Sequence, residues 1–227
     1  MSLRQIRKMP EFKPEETNIR SSLIEAFTAS SGMWLFALFV HSTLPLVLLS
    51  GIGLLVTGLT LVQSLRAESW SIDVFGFAPF TKTTAAYIIF GCAIGAVFGI
   101  TYRVSSDMGV LPEEIERFMF VAASIGAAEE VLFRGYVQGK LRCLNWVVAV
   151  VFAALAHTLY KLALFALPPE GILISYKSFA ILTFTGGMVY GVLRELSGNI
   201  LPPLVGHVIF DVIVYGDNIN APWWVWS

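Results

Sequence analysis

Long apolar blocks separated by short polar connections set the plan of this chain. Residues 32–63 run almost without a charge, and further apolar blocks cover 85–101, 118–138, 146–167, 178–193 (or from Ile172) and 200–215. About 20 apolar residues cross a hydrocarbon core of about 30 Å. A chain in lipid must satisfy its own backbone hydrogen bonds, so each block is predicted to be a helix. As one helix, residues 32–63 would be about 48 Å long, more than one crossing needs. One helix kinked at Pro45 is the alternative; two spans meeting near His41, Ser42 and Thr43 are preferred. Residues 1–20 read as a solvent-exposed arm, and residues 21–31 can begin a helix with Leu23, Ile24, Ala26 and Phe27 on its apolar face.

The connections sharpen this plan. Residues 64–84 are polar and turn-rich, residues 103–117 form a second polar loop, and residues 168–171 (Pro-Pro-Glu-Gly) form a turn. Gly91, Gly95 and Gly99 fall four apart, which puts small residues on one helix face and lets a neighbouring helix come close. Pro202 and Pro203 suit a first helical turn, where a missing N–H costs nothing. Trp223, Trp224 and Trp226 suit a membrane–water interface. The expected fold class is an all-α, polytopic transmembrane helix bundle with six or seven spans. It divides into a polar arm and helix start (1–31), accessory spans and loops (32–117), a core (118–215) and an aromatic interfacial C-terminus (216–227).

Composition agrees. Of 227 residues, 56% are hydrophobic and 14% charged, and mean hydropathy is +0.72, whereas a soluble domain is about 45–50% apolar and about 25% charged. A net charge of −1 gives no reason to expect nucleic acid as a partner; the lipid bilayer is the expected surrounding. Cys92 and Cys143 read as two unpaired small hydrophobes. No short apolar core with a small-residue cleavage site follows the arm, so no removable signal peptide is expected. With two spans before residue 64, the arm, the 64–84 loop, Lys140, Arg142 and Arg194 share one side, which favours a cytoplasmic N-terminus in the cell membrane.

Against this background the charges at membrane depth stand out. Such residues cost about 2.5–3.5 kcal/mol each on insertion scales, so they are functional candidates by default. Glu130 and Arg134 are four apart and can pair on one helix face, while Glu129 lies about 100° around. His207 and Asp211 are also four apart, and His157 lies in the middle of a third apolar block that Lys161 also interrupts. In one site, three carboxylates against one guanidinium leave a formal charge of −2 with neutral histidines. A divalent cation would neutralise it, and imidazole with carboxylate ligands suits Zn2+. The remaining glutamate could then take a proton from the bound water. The alternative is a metal-free glutamate acting on water directly.

The motif Glu129-Glu130-Val-Leu-Phe-Arg134, followed by His157 and then His207 with Asp211, resembles the EExxxR and HxxxD/N signature of the CPBP (Abi-like) family of intramembrane proteases, over about residues 118–215. That family includes the CAAX prenyl endopeptidases and bacteriocin-processing relatives. Where the family has FxxxH, Ala153 takes the phenylalanine position and Phe152 stands five before His157, so only His157 is carried over. The resemblance implies an intramembrane endopeptidase acting on a C-terminal or membrane-adjacent segment of a peptide or protein, prenylated or otherwise membrane-anchored. It implies catalytic roles for Glu129, Glu130, Arg134, His157, His207 and Asp211. Glu129 would activate water and Glu130–Arg134 would orient the site. His157 would bind metal or share the proton chemistry, and His207 and Asp211 would bind metal or stabilise the oxyanion. With Glu129 as base, the metal ligands would be His157, His207, Asp211 and Glu130. Two other functions fit the same residues: a non-catalytic immunity or scaffold protein, and a proton- or ion-coupled transporter.

Overall fold

The computed structural model describes residues 19–168, 170 and 173–225, which form helices and short connections with no strand among them. Residues 1–18, Pro169, Gly171, Ile172, Trp226 and Ser227 lie outside the described residues, and so do the expectations placed on them. The helices are α1 (Ile19–Phe39), α2 (Val47–Ala67), α3 (Lys82–Ser105) and α4 (Phe118–Glu130). A π-helical segment (Val131–Val137) carries α4 directly into α5 (Gln138–Leu141). Then follow α6 (Trp146–Leu164), α7 (Tyr176–Ser197) and α8 (Leu201–Tyr215). Among the described residues α1, α2, α3, α6 and α7 are long and apolar enough to cross a membrane, five in all. The bundle is thus all-α and polytopic. The helices outside that group, α4–α5 and α8, with the π segment between α4 and α5, carry Glu129, Glu130, Arg134 and Asp211.

The 32–63 block is two helices, parted by the segment with His41 and Pro45. However, α1 begins at Ile19, so the division expected at 31/32 falls inside a helix. Glu25 can sit there because Ser64 and Tyr136 donate hydrogen bonds to its carboxylate and Lys140 Nζ lies 3.0 Å from it.

The helices bury small and polar residues and turn large apolar ones outward. On α2, Ser50, Gly53, Thr57, Thr60 and Ser64 are buried at spacings of three and four, while Leu48, Leu55 and Leu59 are exposed. Lipid tails are as apolar as leucine, so close backbone approach rather than water exclusion holds such helices together. A Cβ on Gly32 of α1 would come within 2.7 Å of the Gly53 carbonyl oxygen, and Thr57 Oγ1 donates to the Ala29 carbonyl at 3.2 Å.

The Gly91-Gly95-Gly99 stripe makes the contact its spacing predicts, and its partner is α8. A Cβ at Gly91 or Gly95 would run into the carbonyl oxygen of Pro202 or Gly206, and one at Gly99 would meet Ile213 Cβ at 2.9 Å. Gly95→Val should therefore lower stability by about 1–3 kcal/mol, the usual cost of overpacking. A drop in the melting temperature of the detergent-solubilised protein checks it. Pro202 and Pro203 sit in the first turn of α8, as expected.

Beyond α8, Asp217 ties the C-terminal segment to α3. Its Oδ2 accepts from Arg103 Nη2 at 2.7 Å, and its Oδ1 accepts from the backbone N–H of Glu113 and Glu114. Burial pushes this carboxyl up, but the Arg103 and backbone hydrogen bonds outweigh it and hold the carboxyl below the usual range. The tie is therefore fully present above the ordinary carboxyl value of about 3.9 and is lost as pH falls through the depressed one. Thermal melts across that acid range should show a steeper fall for the wild type than for Asp217→Asn. Trp224 is buried, packed on Phe118, Phe165 and Tyr215, and its carbonyl accepts from His41 Nε2 at 3.1 Å.

Candidate active site

Glu129 and Glu130 close α4, and because neighbouring helical residues diverge by about 100° they enter two different sets of contacts. Glu130 is fully buried. Its Oε1 lies 2.9 Å from Arg134 Nη1 in an ion pair and accepts from His207 Nδ1 at 2.9 Å. Glu129 is held by α6: Oε2 accepts from His157 Nε2 at 3.1 Å, and Oε1 lies 2.6 Å from Lys161 Nζ. Arg134 joins the two sets by donating from Nη2 to His157 Nδ1 at 3.2 Å.

These contacts fix the proton positions on the rings. His157 Nδ1 accepts from Arg134 and Nε2 donates to Glu129, which is the pattern of a neutral imidazole. His207 donates from Nδ1 to Glu130, leaving its Nε2 edge 3.8 Å from Asp211 Oδ2, beyond hydrogen-bond range. The two imidazole centroids are 6.3 Å apart. Tyr160 stacks on His157 and Tyr190 on His207, so each ring is wedged against an aromatic wall. Among the described residues Glu130 Oε2, Asp211 Oδ2 and the Tyr190 hydroxyl are buried with no hydrogen-bond partner.

Local structure makes room for this crowd. A Cβ on Gly126 would strike Asp211 Oδ2, and one on Gly187 would come within 3.0 Å of Arg134 Nη2. Arg134 itself belongs to the π-helical segment that starts immediately after Glu130. Such wide turns are rare and concentrate at functional sites. Gly135 in this segment lies against the Phe75 carbonyl oxygen, which a side chain would exclude.

All six residues singled out from the sequence thus meet, from α4, the π segment, α6 and α8. Phe152, left out above, packs edge-on against Phe27 of α1, at 4.7 Å between centroids. Cys92 and Cys143 are free thiols. The sequence reading missed Lys161, although it stands four residues after His157, the spacing that revealed the other two pairs. Tyr190 left no such signal.

Lys161 also alters the charge balance. With its ammonium added to the three carboxylates and Arg134, the formal total with neutral histidines is −1 rather than −2. Among the described residues no three His, Cys, Asp or Glu side chains form a group able to hold a metal ion. Glu129 and one oxygen of Glu130 are committed to Lys161, Arg134 and the two histidines, whereas Glu130 Oε2 and Asp211 Oδ2 have no hydrogen-bond partner and His207 Nε2 stands 3.8 Å from Asp211.

The family model described as type II CAAX prenyl endopeptidase Rce1-like matches residues 112–213. Neither the curated proteins nor the solved structures give a match. The matched segment contains every charged side chain of the site, from Glu129 to Asp211. Over that segment, a little under half of its length, the chain is similar to the CAAX prenyl endopeptidases of the CPBP family.

Proposed function

We propose that the protein cleaves a peptide bond in a C-terminal or membrane-adjacent segment of a membrane-anchored peptide or protein, prenylated substrates included, with Glu129 as the base that activates water. The observation that carries this reading is the separation of the two carboxylates. One oxygen of Glu130 is taken by Arg134 and His207, whereas Glu129 faces a neutral imidazole and an ammonium in a buried site. Glu129 takes a proton from water as the water oxygen bonds to the scissile carbonyl carbon, and the carbonyl electron pair moves onto oxygen. In this step His207 is the imidazolium: its Nδ1–H is donated to Glu130, and its second proton, on the Nε2 edge that faces Asp211, holds the oxyanion. The oxyanion collapses, the C–N bond breaks, and Glu129 returns its proton to the departing nitrogen, giving an acid and an amine. His157 and Arg134 hold Glu129 and Glu130 in register throughout.

The test is cleavage of a lipid-anchored peptide by the purified protein in detergent, with products identified by mass. Cleavage by wild type and none by Glu129→Gln is the expected result. Wild-type rates from Glu129→Gln would overturn the assignment.

A further inference from the structure

We infer that Lys161 is a positioning residue of the reaction: it compensates the buried charge of Glu129 and fixes the direction of the carboxylate. The inference rests on the catalytic reading of Glu129. A buried carboxylate is costly unless it is paired and hydrogen-bonded. Arg134 is committed to Glu130, and its contact with His157 leaves that imidazole neutral. That makes Lys161, at 2.6 Å, the one formally charged partner of Glu129 among the described residues. The two oxygens are shared out, Oε1 to Lys161 and Oε2 to His157, so the plane of the carboxylate is set by two groups one helical turn apart on α6. The ammonium is held in turn by aromatic faces, 5.8 Å from the Tyr160 ring centroid and 5.9 Å from that of Trp224. Its side chain is 16% exposed against 3% for Glu129, so the pair reaches the edge of the site through the lysine. The C-terminal segment, which supplies Trp224, thereby takes part in aiming the base.

The experiment compares Lys161→Met, Lys161→Arg and Lys161→Ala with wild type and Glu129→Gln, in detergent, with the lipid-anchored peptide. Lys161→Met should lower kcat on the order of 100-fold, as a misaimed catalytic group does, with KM little changed. Lys161→Arg should retain most of the rate, and millimolar ethylamine should restore Lys161→Ala in proportion to its concentration. An ammonium that merely filled space would give neither the arginine nor the ethylamine effect. Wild-type kcat in Lys161→Met would overturn the inference. So would equal losses in the Met and Arg variants without amine rescue. If Lys161→Met fails to fold, the Arg variant and the amine titration decide. A fully active Glu129→Gln would instead bring down the base assignment, a result these lysine variants cannot mimic.

Discussion

Glu129→Gln is expected to lower kcat by about 10²–10⁴-fold, the usual contribution of a positioned general base. The change is isosteric and removes one formal charge from a site that totals −1. The amide keeps one oxygen acceptor, but two donors compete for it: His157 Nε2–H and the Lys161 ammonium. His157 cannot relieve the conflict by moving its proton, because Arg134 already donates to Nδ1. Loss of one hydrogen bond to a charged group costs about 1.5–3 kcal/mol, so the variant should melt somewhat earlier yet stay folded. Rate and melting temperature measured on the same preparation separate the two effects. A rate loss no larger than the loss of folded protein would deny Glu129 a chemical role.

The largest stability effect should come from Arg134→Leu. Arg134 is buried, and its removal strands the fully buried Glu130 carboxylate and takes the donor from His157 Nδ1. Breaking a buried ion pair from one side costs about 3–5 kcal/mol. Native stability is about 5–15 kcal/mol, so the variant should yield little folded protein at physiological temperature. Converting both partners, Glu130→Leu with Arg134→Leu, removes the uncompensated charge and should recover part of the melting temperature without recovering activity. The double-mutant cycle, read by thermal melts, checks this coupling. A double variant less stable than Arg134→Leu would contradict it.

Much of this site could be read before any fold was known, because helices turn sequence spacing into geometry. Glu130 with Arg134 and His207 with Asp211 sit four apart, and each pair does share a face, although the second remains 3.8 Å apart. The glycines of α3 announced a close neighbour but could not say which; α8 lies far on in the chain. Lys161 was visible yet passed for an interruption, since a lone lysine near a helix end usually reaches for water. The π-helical segment leaves no trace in apolar periodicity, because it changes the hydrogen-bond ladder and not the residue pattern. The pairing of Glu25 left no local signal, because its partners Ser64, Tyr136 and Lys140 are all distant in sequence.

The seam between α3 and α8 has one more consequence. Carbonyl groups of Pro202 and Gly206 stand directly against Gly91 and Gly95, so the two helices cannot slide past each other by even one residue without a backbone collision. The depth at which His207 and Asp211 sit is thereby dictated by a helix that brings no catalytic group and lies outside the family segment 112–213. That segment cut out alone would lose the ruler that sets its own histidine, and a screen for inactive variants should score bulky residues along α3 beside lesions in the catalytic motifs.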